Sequence, residues 1–447
     1  MSEIIIEDPI LEKGRLTSRI TTAKNLSKYI SERELFIEYD IETQANESIL
    51  NIPLTATVLP LAWLTGSDIY VKTLDHTFKE SMDELQNFFA QMYPKGLFTT
   101  EIKTEKLVNN KIEVEDPERR TGMLFSGGVD SMYSLINNIQ HNPRLVMIWG
   151  CDNFPYPERS DHWEKTISIY SEFARKKNLE LNVIKTNISQ ILTLRRIEHS
   201  YHKELFGGRL RGALQHSLVL LPPAAPISFG RFDKFIIAAT VTPKHDFKLY
   251  PSASGLRSDE KIIWADLSVK HDGYVDRFIK IKKLVDHYGV EPFTLRVCSR
   301  SAYVDGTLND GKCQKCLITL MSLILADFDP NQCGFDVDES TFEFMKSLWG
   351  RKDWAAERWS LWKTVQESIP DQIDFDVHGS KEFFEWFREF DLDDAERNWF
   401  YFDLYMWLPY FLAKNMNRVF SRYGNALHQY PYNREYVRAQ KQLKKDN

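Results

Sequence analysis

The 447-residue sequence has only five cysteines and no long uninterrupted apolar run. So few cysteines in a chain of this length do not form a disulfide framework, which favours a reducing compartment. The most apolar stretch, WFYFDLYMWLPYFLA, is interrupted by Asp403 and Pro409 and is too short to span a bilayer. The N-terminus has neither the basic start nor the apolar core of a signal peptide. These absences predict a cytoplasmic protein that does not enter the membrane.

Two common nucleotide-binding patterns are also missing, because neither G-x-x-x-x-G-K-[ST] nor G-x-G-x-x-G occurs in the chain. A net charge of −6 argues against a general nucleic-acid-binding surface. The apolar fraction of 43% and the charged fraction of 27% are typical of a globular protein. The length predicts about two or three domains.

Three segments differ in their residue patterns. Residues 1–115 mix strand-like runs such as ELFIEYDI and DIYVKTL with one helical run, which predicts an N-terminal α+β domain. Residues 118–333 alternate strands and helices, which predicts a doubly wound, Rossmann-like α/β core with a parallel sheet. Residues 335–447 are helical in pattern and hold seven of the eleven tryptophans. We interpret this third segment as a helical core with a partner-binding face, and the alternative is a base-stacking platform.

The stretch RRTGMLFSGGVDSMYSLINNI carries the clearest chemical signal. An apolar run typical of a buried strand ends at Phe125, and apolar residues then recur at helical spacing from Met132. Glycines in the intervening turn let the backbone approach a ligand, and the first amides of a helix can bind a phosphate. An ordinary strand-to-helix turn with a polar cap is the alternative. The predicted phosphate site consists of Ser126, Gly127, Gly128, Val129, Asp130 and Ser131.

Within this loop the polar side chains have separate predicted roles. The hydroxyls of Ser126 and Ser131 can donate hydrogen bonds to phosphate oxygens. Asp130 could hold a magnesium ion that phosphates share, or could simply cap the helix.

The Ser-Gly-Gly-Val-Asp-Ser loop resembles the pyrophosphate loop of the PP-loop ATP pyrophosphatases. Enzymes of that superfamily cleave ATP between the α and β phosphates and adenylate an oxygen of the substrate. The resemblance implies that Ser126, Asp130 and Ser131 are catalytic and that the whole loop binds ATP with Mg²⁺.

Four of the five cysteines lie close together in the sequence. Cys313 and Cys316 form a C-x2-C pair, with Cys298 before them and Cys333 after them. Two thiolates at that spacing can chelate one metal ion, and zinc prefers four ligands in a tetrahedron. A redox-active pair is the alternative.

The same stretch resembles a cysteine pattern of QueC-like proteins, the 7-cyano-7-deazaguanine synthase group of the PP-loop superfamily. That pattern, roughly VC…NCGxCxKCxxT, matches here except that Asp310 stands where the group has cysteine. The resemblance implies a structural Zn²⁺ bound by Cys298, Asp310, Cys313 and Cys316. The substitution at Asp310 also leaves open weaker zinc binding or none, with Cys333 as a possible replacement ligand.

Other stretches resemble further parts of the QueC group. HDFKLYPSASGL is similar to its substrate-binding segment, and the cations between the third and fourth core strands could meet a carboxylate or pyrophosphate. VKHDGYVDRFIKI resembles a helix start of the group, although its residues could equally cap a helix or form a solvated face. The resemblance of the first stretch implies substrate-binding roles for Asp246, Tyr250 and Pro251. Among the cations, Arg209 is the predicted substrate-binding residue, with plain surface charge as the alternative. The helix start that VKHDGYVDRFIKI resembles contains His271, Asp272, Arg277 and Lys280.

The resemblance covers residues 118–333 and implies a QueC-like, AMP-forming ligase. It would adenylate the carboxylate of a 7-deazaguanine acid with ATP and transfer the acyl group to an amine. The added segments on both sides resemble QueC-like proteins of antiviral Qat and type IV CBASS systems, which implies that a protein N-terminus is the acceptor. A small-molecule amide or nitrile synthase, a tRNA-modifying PP-loop enzyme and a non-catalytic nucleotide-binding subunit are the alternatives.

Overall fold

The computed structural model describes residues 2–93, 96–151, 156–157, 160–205, 210–240, 256–298, 308–349 and 359–392. Contacts divide the described residues into two units. Those of the first unit lie in Met1–Ser126 and Asn137–Val275, and those of the second lie in Gly127–Ile136 and Asp276–Pro431.

The first unit is built on a large, mostly parallel mixed sheet, so the chain is an α/β protein, compatible with a Rossmann-like fold. The described strands are β1 Glu3–Ile6, β2 Ile10–Glu12, β3 Arg15–Thr22, β4 Glu34–Tyr39, β5 Asp68–Val71, β6 Thr73–Asp75, β7 Ile102–Lys103, β8 Lys106–Val108, β9 Thr121–Leu124, β10 Arg144–Trp149, β11 Leu181–Thr186, β12 Lys234–Ala238 and β13 Ser268–Asp272.

The strand order of this sheet is β13-β12-β9-β10-β11-β4-β3-β1-β5-β7, with β2 paired to β3. Strands β13 to β11 in this order are parallel, and the runs GMLF, RLVMIWG, LELNVIKT and KFIIAAT form β9, β10, β11 and β12 as the sequence predicts. The chain leaves β9 toward β10 on one side and later returns to β12 on the other. In doubly wound sheets this switch point is where ligands bind, beyond the carboxyl ends of the strands.

Strands from the N-terminal segment extend the same sheet. β4 runs antiparallel to β11, with Tyr39 opposite Ile184, and β3 and β1 follow outward. The stretch after β8 also packs on the fold, since Ile112 is buried and its amide donates to Asp266 Oδ1 at 2.8 Å. The boundary predicted between residues 115 and 118 therefore falls between two parts of one sheet, and the three-domain division stays a prediction.

A close backbone approach explains one glycine of the central strand. A Cβ added at Gly122 in β9 would lie 2.7 Å from the ring of Phe232, which stacks on Phe235 of β12 with ring centroids 5.2 Å apart. Because both rings are fully buried, there is no room for a side chain at position 122.

The helices cover the sheet of the first unit and build the second unit. They are α1 Glu47–Leu50, α2 Ile52–Thr65, α3 His76–Met92, α4 Val129–Asn138, α5 Ser160–Lys176, α6 Leu194–Ser200, α7 His216–Leu220, α8 Ala225–Ser228, α9 Leu256–Asp259, α10 Arg277–Tyr288, α11 Gln314–Leu325, α12 Glu339–Trp349, α13 Trp359–Glu367 and α14 Lys381–Glu389. Among the described residues, no helix combines the length and apolarity that crossing a bilayer requires.

Aromatic side chains form the core between the last helices of the second unit. Trp349 of α12 and Trp362 of α13 are buried and meet edge to face with centroids 5.1 Å apart. Phe387 of α14 packs against both rings. The Trp362 indole also donates to Gln314 Oε1 at 3.2 Å. For these two tryptophans the interpretation as helical core is therefore correct, because their rings are enclosed by other helices.

Candidate functional site

The predicted loop lies between β9 and α4, as the sequence indicates. Gly127 has a φ of +72°, in the left-handed region that favours glycine. The Met132 amide donates to the Gly128 carbonyl at 2.9 Å, and the Ser131 hydroxyl donates to the same oxygen at 3.1 Å. The Ser131 side chain thus stabilises the turn in this structure, while Ser126 is exposed at the end of the strand.

Asp130 in the first turn of α4 is paired with two cations of α10. Lys280 Nζ lies 2.7 Å from Asp130 Oδ1, and Arg277 Nη1 lies 3.0 Å from Asp130 Oδ2. The Lys280 side chain is only 2% exposed, whereas that of Asp130 is 23% exposed. Since the two cations are three residues apart on one helix, they reach the carboxylate from the same face.

The charges around Asp130 determine its protonation. Burial by itself raises the pKa of the Asp130 carboxyl, but the charges of Lys280 and Arg277 outweigh it and the pKa is lowered overall. The carboxylate is therefore ionised at neutral pH. The alternative of a solvated face for Arg277 and Lys280 is wrong, because both side chains turn inward to this carboxylate.

This pairing bears on the predicted magnesium ligand. Both oxygens of Asp130 accept hydrogen bonds from cations, which compete with a divalent ion for the same lone pairs. The described residues therefore do not offer a free carboxylate to Mg²⁺ at this position. A magnesium role for Asp130 stays a prediction.

A second constellation, which we name the cysteine cluster, consists of Cys298, Asp310, Cys313 and Cys316. The ligand atoms of these four residues lie within 4.8 Å of one another. Cys313 Sγ is 3.8 Å from Cys298 Sγ and 3.5 Å from Cys316 Sγ. Thiolates bound tetrahedrally to zinc at about 2.3 Å lie about 3.8 Å apart, which fits these distances. The cysteine cluster could therefore hold a metal ion such as zinc.

Asp310 occupies the position of a metal ligand and also shapes the turn. Its Oδ1 accepts hydrogen bonds from the amides of Lys312 at 2.9 Å and Cys313 at 3.0 Å. The carboxylate therefore fixes the turn before Cys313, and one of its oxygens also lies near the three sulfur atoms.

Asn309, to which sequence reasoning assigned no role, connects the two halves of the cluster. Its Oδ1 accepts from the amides of Val297 at 2.9 Å and Cys298 at 3.2 Å. Its amide nitrogen donates to the carbonyls of Leu295 at 2.7 Å and Gly334 at 3.0 Å. The only sequence signal was its place in the cysteine pattern.

The pKa values of two thiols of the cluster, those of Cys298 and Cys316, are raised, which favours their protonated forms. Hydrogen bonding with Cys313 is the main cause that raises the pKa of Cys298 to about 12, and burial raises the pKa of Cys316 strongly. A bound cation reverses this preference, because metal ligands must be thiolates. Cys333 is buried but lies outside the cluster.

His271 and Asp272 end β13 and do not cap α10, whose N-cap residue is Asp276. The Nδ1 atom of His271 lies 2.7 Å from Asp259 Oδ2, and the Ser217 hydroxyl donates to the other oxygen of Asp259. All three side chains are buried. The sequence offered no signal for Ser217 or Asp259, since they come from α7 and α9.

The predicted substrate-binding residues Arg209, Asp246, Tyr250 and Pro251 lie outside the described residues. Their roles stay predictions.

Comparison of this chain with family models, with curated proteins and with solved structures finds no match.

Proposed function

We propose that this protein is an ATP-dependent adenylating enzyme of the PP-loop type. The observation that supports the proposal most is the pairing of Asp130, in the first turn after the glycine loop, with Arg277 and Lys280. Two cations and one carboxylate leave a net positive charge beside the start of α4, where the helix dipole also favours an anion.

The loop has the backbone features that a phosphate site requires. Gly127 has positive φ, and α4 starts two residues later at Val129. The partly exposed Arg277 and Asp130 leave this charge cluster in reach of a ligand. In the proposed complex, Arg277 and Lys280 keep their contacts with the carboxylate and donate further hydrogen bonds to phosphate oxygens.

The proposed reaction has two steps. A carboxylate oxygen of the substrate attacks the α-phosphorus of ATP, the bond from that phosphorus to the bridging oxygen breaks, and pyrophosphate leaves. An amine then attacks the acyl carbon, the bond from carbon to the AMP oxygen breaks, and the amine releases a proton. Cations placed at the departing pyrophosphate stabilise the charge that develops in the first step. Magnesium, bound to the nucleotide, would supply further neutralisation of the phosphate charge.

The substrate class rests on the sequence resemblance. A QueC-like chain with the cysteine cluster after the core points to the carboxylate of a 7-deazaguanine acid. For the acceptor we propose an amine of a protein N-terminus, because the chain carries a helical segment after the core that could dock a partner. Zinc in the cysteine cluster would be structural, since three thiolates and one carboxylate fill a tetrahedral site.

The test is AMP formation from ATP with Mg²⁺ and 7-carboxy-7-deazaguanine, with intact mass spectrometry of candidate acceptor proteins. We expect AMP together with a mass increase on a protein. If AMP forms together with a small-molecule product that requires ammonia, the acceptor is ammonia and not a protein. Nucleotide binding without AMP would refute catalysis and leave a binding subunit.

A matched pair of variants tests the cations. Lys280→Gln removes the buried cation and should lower the rate of AMP formation by about a hundredfold, as for other charge-stabilising groups. Lys282→Gln removes an exposed cation two residues later on α10 and should leave the rate unchanged. Equal rates in the two variants would contradict a role for Lys280 in the chemistry.

A further inference from the structure

The cysteine cluster is connected by two separate hydrogen-bonded links to the glycine turn and the start of α4, residues 127–131, which we call the phosphate loop. Every residue of both links belongs to the second unit. The first link is a backbone contact. The Arg296 amide donates to the Gly127 carbonyl at 2.8 Å, and Arg296 lies two residues before Cys298. Val297 and Cys298 are held in turn by Asn309, which precedes Asp310. Gly127 is thus hydrogen-bonded to the segment 296–298, which ends at the candidate metal ligand Cys298.

The second link runs through α11. This helix starts directly after Cys313, contains Cys316 and places Thr319 one turn further along. The Thr319 hydroxyl donates to the Lys315 carbonyl at 2.7 Å and accepts from Arg277 Nη2 at 3.3 Å. The other terminal nitrogen of Arg277 donates to Asp130. The position of α11 therefore helps to orient the guanidinium that pairs with the loop carboxylate.

We propose that metal binding by the cysteine cluster positions the phosphate loop, so that nucleotide affinity depends on the loaded cluster. Thr319 is the positioning residue of the second link. The identity of the ligand as a nucleotide rests on the proposed function, but the coupling itself rests on these contacts.

The physical basis is a local cross-link. A bound metal ties residue 298 to residues 310–316, in addition to the hydrogen bonds through Asn309 and the contacts between the sulfur atoms. Without the metal, three buried thiols and a carboxylate lose their common partner, and this region opens more readily. Gly127 and Arg277 then lose the fixed groups that they contact. By linkage, a nucleotide that needs the ordered loop must also tighten metal binding by the same factor.

The first experiment compares zinc-loaded protein with protein stripped of metal under reducing conditions, and the probe is α,β-methylene-ATP with Mg²⁺, which resists cleavage. We expect binding at least about fivefold weaker without zinc, and recovery when zinc is restored, within the range of known coupling energies. Circular dichroism checks that the stripped protein is still folded. Competition with a chromophoric chelator should show zinc affinity raised by the same factor when the analogue is present.

The second experiment keeps the metal and breaks one link. Thr319→Val removes the hydroxyl at nearly constant volume, and we expect analogue affinity to fall by about threefold to tenfold, as for the loss of one hydrogen bond. Ser322→Ala is the matched control, since the Ser322 hydroxyl is also buried in α11 and donates to a carbonyl one turn back, Ile318, at 2.7 Å. Both variants should retain one zinc per chain by elemental analysis.

The outcomes separate the coupling from the proposed function. If zinc-loaded protein does not bind the analogue at all, the proposed function fails. If it binds equally well with and without zinc, and Thr319→Val matches Ser322→Ala, the coupling is refuted while the nucleotide site stands. If stripped protein unfolds, the variant pair alone decides.

Discussion

The pairing of Asp130 with Lys280 and Arg277 makes a prediction about stability that is independent of any ligand. Asp130→Asn keeps the shape of the side chain and removes its charge, so two neighbouring cations lose the carboxylate between them. Hydrogen bonds to charged groups contribute about 1.5–3 kcal/mol each. Because the side chains of Asp130 and Arg277 are 23% and 13% exposed, water screens part of this, and we expect a total loss of about 2 kcal/mol.

The assay is thermal unfolding in magnesium-free buffer, followed by tryptophan fluorescence, since Trp349 and Trp362 are buried in the second unit with the ion pair. A loss of about 2 kcal/mol corresponds to a fall in Tm of about 4–8 °C for a unit of this size. Asp286→Asn on the exposed face of α10 is the control and should change Tm little.

A Tm for Asp130→Asn equal to that of Asp286→Asn would refute the ion-pair role. It would then favour a carboxylate kept for a metal ion. A double variant with Lys280→Met isolates the pairwise energy, since the two changes should be far from additive if the residues interact.

Two further predictions concern pH and metal. Because the pKa of Asp130 is lowered from its ordinary value of 3.8, its stabilising contribution is present above that value and is lost as the pH falls through the lower pKa of the folded state. The difference in unfolding free energy between wild type and Asp130→Asn should therefore shrink below about pH 4. A difference that stays constant down to about pH 2 would contradict this. Asp310→Cys should bind zinc at least about tenfold more tightly and should strengthen the thiolate-to-cobalt charge-transfer band of Co²⁺-substituted protein, because a fourth thiolate replaces a carboxylate. An unchanged spectrum would exclude position 310 from the ligand set.

Local patterns predicted the elements that carry the site. The apolar run before Ser126 and the helical spacing after it place a glycine turn between a strand and a helix, and the structure has β9 and α4 there. The C-x2-C spacing indicates metal ligands, and Cys298, Cys313 and Cys316 come together with Asp310. Such patterns succeed because turn, strand and helix preferences act over a few residues.

The sequence alone therefore determined that a glycine turn joins a strand to a helix, that the core is α/β, and which residues are candidate metal ligands. Only the tertiary structure decided which groups meet. Lys280 and Asp130 are 150 residues apart in the chain. The Thr186 hydroxyl of β11 donates a hydrogen bond to the Phe36 carbonyl of β4 across the same separation. No local pattern encodes such pairs, because they form when distant segments bury apolar surface together, and a buried cation such as Lys280 then pairs with the carboxylate that folding brings to it.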